Sequence, residues 1–212
     1  MFENITPELS PALDVIIKSR RSVRAFSSIP PSQEAIEAII QAGLLAPFGA
    51  LAVAERPDFR RVFVIRNSSS AMEAAADIIK KRMATLAGEL EKKVGPVPFV
   101  QNLKRIGQQG VSGVGNAPYY VVVGEKKGTP PVAAQSLSYC LENMWLRATS
   151  LRIGLQLVSA TTQMESDPDF CGLLNISCGE YALDGCALGY PADKYQPLAV
   201  EYPTLGKSVS WL

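Results

Sequence analysis

The run Val62-Phe63-Val64-Ile65 is four apolar residues without a polar interruption. A strand that keeps one face in water alternates apolar and polar residues, whereas a strand covered on both faces does not. The pattern therefore predicts a core strand over 59–66 and a second over Tyr119-Tyr120-Val121-Val122-Val123-Gly124. Shorter stretches at 155–158 and 180–188 bring the number of strands to about four. Helical periodicity fills the intervals. Residues 11–19 place Leu13, Ile16 and Ile17 on one face, and Ser32 caps a helix over 33–46 that Pro47 stops. A helix over about 70–93 ends at Gly95-Pro96-Val97-Pro98, and another follows over 99–106. A long helix from Pro130 or Pro131 to about Leu151 carries Leu137, Leu141, Met144, Trp145 and Ala148 at core spacing, and Asp167-Pro168 opens a short one ending near Leu174. Helices enclosing about four strands read as one α+β layered domain over all 212 residues, with a helical, glycine-rich excursion at about 69–116 and a tail at about 193–212.

The chain contains no histidine, which removes Ser-His-Asp, Cys-His and His-metal chemistry. Redox chemistry from a bound cofactor is favoured by that gap. Cys140, Cys171, Cys178 and Cys186 form no C-x-x-C pair and read as buried small hydrophobes rather than metal ligands. A formal net charge of +1 gives no global field for nucleic acid or a membrane. With no secretory signal and no apolar run long enough to span a bilayer, the expected compartment is the cytoplasm.

The segment Lys18-Ser19-Arg20-Arg21-Ser22-Val23-Arg24-Ala25-Phe26 concentrates three arginines and a serine in five positions. If the chain is extended after Arg20, residues 20, 22 and 24 share a side and offer two guanidinium forks and a hydroxyl to one anion. The alternative is a solvated basic turn closing the preceding helix, where cations also suit the dipole. The stretch 107–116 holds Gly107, Gly110, Gly113 and Gly115 and reads as a mobile loop rather than a nucleotide loop, because a strand and not a phosphate-binding helix follows it.

Taken together, Lys18 to Phe26, then Ala42-Gly43-Leu44-Leu45-Ala46-Pro47-Phe48-Gly49, and then Ala187-Leu188-Gly189-Tyr190-Pro191-Ala192 resemble, in order and separation, three motifs of the nitroreductase family of FMN-dependent flavoproteins. The resemblance implies a mainly antiparallel four-stranded sheet flanked by helices, with a fifth strand from the partner's C-terminal arm in a homodimer. It implies FMN as cofactor, NADH or NADPH as electron donor, and nitroaromatics, quinones or similar small molecules as acceptors, with no catalytic side chain and no metal. Carried over residue by residue, Arg20, Arg21, Ser22 and Arg24 meet the FMN phosphate and ribityl chain, and Lys207 closes on the phosphate. Pro47, Phe48 and Gly49 reach the partner's flavin, and Ser159, Ala160 and Thr161 wrap the ring. The 50–56 loop lacks the asparagine that many family members carry near position 51. Two further readings remain: a specialised branch of the fold, in cobalamin-ligand synthesis or dehalogenation, and a non-catalytic FMN-binding or sensor protein.

Overall fold

A computed structural model describes residues 6–49, 58–193 and 209–210. The elements run α1 Leu9–Ser19, α2 Gln33–Leu44, β1 Arg60–Arg66, α3 Ser70–Val94, α4 Pro98–Gln109, β2 Tyr119–Lys126, α5 Ala133–Ser150, β3 Gly154–Leu157, a 3-10 helix Ser159–Met164, α6 Pro168–Leu174 and β4 Tyr181–Gly189. Local chemistry accounts for several boundaries. The side chains of Ser32, Ser69 and Asp167 accept hydrogen bonds from the N–H groups of Ala35, Met72 and Phe170, which satisfies first-turn donors that no helical carbonyl can reach. Gly95, at φ 76°, closes α3 with its N–H on the Glu91 carbonyl.

The sheet order is β1-β2-β4-β3, with every neighbouring pair antiparallel. All eight residues of β2 are buried, as a central strand requires. One face packs Tyr120, Val122, Leu183 and Ala187 against Met72, Ile79 and Met83 of α3 and Phe170 of α6. The other packs Tyr119, Val121, Val123 and Cys186 against Ile36 and Ile39 of α2 and Leu137, Leu141 and Met144 of α5. β1 is an edge strand, not a central one, and Val64 is 42% exposed. Its apolar run is covered in part on both faces, with Val62 against the α2/α5 side and Phe63 and Ile65 against the α3 side, while Val64 stays open. A side-chain pattern reports coverage of the faces and not occupancy of the hydrogen-bonding edge.

The glycine-rich stretch differs from a simple connector. Gly107 lies inside α4, and Gly113 is buried where a Cβ would stand 2.5 Å from that of Ala187. Close approach to the sheet, rather than freedom of movement, accounts for glycine at 113. Cys140, Cys171 and Cys186 are buried free thiols and Cys178 is exposed. Burial pushes the Cys140 thiol up to about 11. Among the described residues no helix is long and apolar enough to cross a membrane.

Candidate functional site

The arginine-rich segment begins where α1 ends. Arg20 leaves the helix at φ −60°, ψ 124°, and the chain then runs extended beside β3. Ser22 bridges Leu155 in parallel, and the Val23 N–H donates to the Leu155 carbonyl at 3.0 Å. Farther on, the Ser27 N–H donates to the Tyr190 carbonyl at 2.9 Å and the Ala192 N–H to the Ala25 carbonyl at 3.0 Å. The first and third sequence motifs are therefore zipped together by backbone bonds. Gly154 makes the approach possible: a Cβ there would lie 2.7 Å from the Val23 Cβ. Gly154→Ala is expected to destabilise the fold by about 1–3 kcal/mol through overpacking against Val23, measured as a lowered denaturation midpoint at constant slope.

With Val23 buried against Gly154, alternation puts Ser22 and Arg24 on the opposite side. α5 fixes Arg20. Its guanidinium stacks over Trp145 with Cζ 4.2 Å from the ring centroid, and its Nε lies 3.2 Å from Glu142 Oε1. The Trp145 indole N–H in turn donates to the Arg21 carbonyl at 3.3 Å. Glu142 and Trp145, three apart on one helix face, are supports that a reading of Trp145 as core packing alone passes over. Arg21 takes another course. Its guanidinium donates to the Lys18 and Arg20 carbonyls, each at 2.7 Å, and so caps the C-terminus of α1. Arg21 also lines, with Ser19, Val23, Thr149 and Arg152, an open cleft of about 320 Å³.

Pro47, Phe48 and Gly49 lie at the other end of α5. The Gly49 N–H donates to Ser136 Oγ at 3.3 Å, and the Phe48 ring packs on Phe59 with centroids 4.5 Å apart. Ser136 and Trp145 are nine residues apart on α5, which is about 2.5 turns and 13 Å. The loop and the arginine segment are thus anchored to opposite sides of that helix.

Ser159 is exposed and Ala160 half-buried, directly after β3, where the Val158 N–H donates to the Gly185 carbonyl at 2.8 Å. Thr161 does not join them. It is fully buried, shares a 2.7 Å hydrogen bond with the Tyr120 hydroxyl and donates to the Val158 carbonyl at 2.6 Å. The 3-10 turn rotates its side chain onto the sheet and into the core. Lys207, the 50–57 loop and nearly all of the C-terminal arm lie outside the described residues.

Two acidic groups were not anticipated. Glu125 is fully buried against Arg60, and burial pushes its carboxyl up to about 7 against the pull of that guanidinium. Asp184 is half-buried on β4, pushed up to about 6 by burial, and accepts from the Gly185 N–H at 2.8 Å. Nothing in the amino-acid pattern distinguishes Glu125 from a surface residue at a strand end. Only its cross-strand pairing with Arg60 does.

The donor set on the Arg20, Ser22 and Arg24 side, two guanidinium forks and a hydroxyl on an extended backbone, fits a phosphate monoester such as that of FMN. The sequence profile of the nitroreductase family matches residues 17–190, and the chain belongs to that family. Solved structures with the same fold include an FMN-bound nitroreductase from Bacteroides fragilis, 24% identical, covering 94% of this chain and 98% of that one at a TM-score of 0.71. A BluB-like flavoprotein from Clostridium difficile is 22% identical over 94% and 98% of the two chains at 0.72. An FMN-bound nitroreductase from Desulfitobacterium hafniense is 21% identical over 94% and 97% at 0.69. Comparison with curated proteins returns no match.

Proposed function

We propose that this protein is an FMN-dependent oxidoreductase that takes electrons from NADH or NADPH and passes them to small acceptors such as nitroaromatics or quinones. The observation that carries the reading is the extended Arg20-to-Arg24 segment laid along β3, with α5 holding Arg20 in place. Arg20, Ser22 and Arg24 bind the phosphate end of the cofactor, with Lys207 from the tail. Arg21 supports them by fixing the end of α1. Ser159 and Ala160 border the ring, and Pro47, Phe48 and Gly49 serve the partner subunit's flavin. FMN, when bound, supplies the two-electron redox chemistry. The protein's own residues bind and orient it and keep water from the ring.

The same reading makes the protein a homodimer. α1 buries none of its residues in its own chain, and Leu9, Leu13 and Ile17, four apart on one face, are exposed at 46–53%. Such a face suits burial against a second copy. Leu13→Lys combined with Ile17→Lys is expected to shift sedimentation toward monomer and to lower flavin content with it. Wild-type thermal stability should rise with protein concentration. The function itself is tested by anaerobic titration of the flavinated protein with NADH and with NADPH. Loss of the flavin's visible absorbance, restored by a quinone, is the expected result. Flavin binding without reduction would favour the sensor reading, and absence of flavin binding would sink both.

A further inference from the structure

The loop Pro47-Phe48-Gly49 is exposed at both its ends, yet each of its residues is held by a different group. The buried Arg60 side chain reaches across to it. One terminal nitrogen donates to the carbonyls of Gly43, Leu44 and Ala46 at 3.1, 3.3 and 2.9 Å, and the other to the Pro47 carbonyl at 3.3 Å. Its Nε donates to Glu125 Oε1 at 2.6 Å. Phe48 rests on Phe59, the Gly49 N–H is held by Ser136, and a Cβ at 49 would stand 2.8 Å from Val132 Cγ2. The anchors come from two rigid places, the start of β1 and the start of α5.

A buried ion pair is an expensive way to close a helix, and an apolar contact of equal volume usually stabilises as well or better. Here the pair is not even fully satisfied, since Glu125 Oε2 has no hydrogen-bond partner. What the guanidinium supplies and an apolar side chain does not is a rigid fork with five donors. That fork fixes the carbonyls at the end of α2 together with the first carbonyl of the exposed loop. Fixing backbone so firmly next to solvent makes sense where another molecule must meet it in one geometry.

We propose that Arg60, held by Glu125 and aided by Ser136, is a positioning residue that sets the backbone of Pro47-Phe48-Gly49 as a preformed wall of the partner subunit's flavin pocket. This rests on the functional reading above. Arg60 need not touch the flavin. It acts through the loop.

Arg60→Lys keeps a cation beside Glu125 but removes the fork, and Ser136→Ala removes only the Gly49 anchor. FMN affinity, the visible spectrum of the bound flavin and the thermal midpoint of the apoprotein are measured for both variants and for wild type. The expected result is FMN affinity weakened about 10-fold by Arg60→Lys and about 3-fold by Ser136→Ala, with the shape of the flavin absorption band altered well below the unfolding temperature. The double variant should lose less than the product of the two, because both anchors hold one loop. Wild-type affinity and spectrum in both single variants, with only a lowered midpoint, would overturn the proposal and leave Arg60 as a fold-stabilising residue. If Arg60→Lys does not fold, Ser136→Ala decides by the same criteria. A wild-type protein that takes up no FMN overturns the functional reading and this proposal together, so the two failures are distinguishable.

Discussion

Arg20→Ala is expected to raise the FMN dissociation constant by about 10- to 100-fold, the loss of one or two charge-assisted hydrogen bonds. The size of the effect follows from how the side chain is held. Stacking on Trp145 and pairing with Glu142 restrict the guanidinium before any ligand arrives, so little rotamer entropy remains to be lost on binding. Arg20→Lys should rescue poorly, because an ammonium neither stacks as a plane nor presents a fork. Arg24→Ala should have a smaller effect, since Arg24 is exposed. Lys18→Ala is the control: Lys18 is an exposed partner of Asp14 at 3.5 Å within α1, and its loss should leave affinity within about twofold. Fluorescence titration measures all four. Unchanged affinity in both Arg20→Ala and Arg24→Ala would remove the phosphate assignment.

Glu125→Ala is expected to destabilise the protein by about 3–5 kcal/mol, because it leaves the buried Arg60 Nε–H without its acceptor and opens a cavity beside the guanidinium. Glu125→Gln should cost far less, and its cost should depend on pH. The Glu125 carboxyl is pushed up to about 7 in the folded chain, above its ordinary value of 4.5. The folded state therefore binds this proton more tightly than the unfolded state. The corresponding contribution to stability is fully present below about pH 4.5 and is lost as pH rises through about 7. Glutamine imitates the protonated form at every pH. The stability of Glu125→Gln relative to wild type should therefore improve from about pH 5 to pH 7 and level off above about pH 8. Taking the difference between the two proteins removes groups that titrate in the opposite sense, such as Glu180, whose carboxyl is lowered by Lys126. Denaturant unfolding across this range measures it, and a flat difference would show that Glu125 stays ionised throughout.

The layers were legible because side-chain periodicity reports which faces are covered. The helix over 33–46, opened by Ser32, and the buried strand from Tyr119 correspond to α2 and β2 within two residues at each end. The place of 59–66 at the sheet edge was not legible, because strand order is decided by pairing partners far away in the chain. The candidate site divides in the same way. The alternation of Ser22, Val23 and Arg24 predicts which side chains share a side of the segment. It cannot predict that α5 brings Glu142 and Trp145 to Arg20, or that Arg21 turns back to cap α1. The burial of the Thr161 side chain was not legible either, because only the fold brings the Tyr120 hydroxyl of β2 to it. Arg60 and Glu125 carried no motif at all, and only their opposition across two strands pairs them.

The backbone bonds between Ser22-Val23 and Leu155 have a consequence for solubility. Among the described residues β3 is the last strand on its side of the sheet, only four residues long, and the arginine-rich segment lies along its outer edge. An uncovered edge presents unpaired N–H and C=O groups to any other chain that can add a strand. A substitution that loosens the segment, at Val23 or Gly154, would strip that cover and invite intermolecular strand pairing. Variants of the motif that collect in the insoluble fraction would then be reporting an exposed sheet edge, and detergent-free recovery should improve when the segment is kept seated, for example by FMN added during expression.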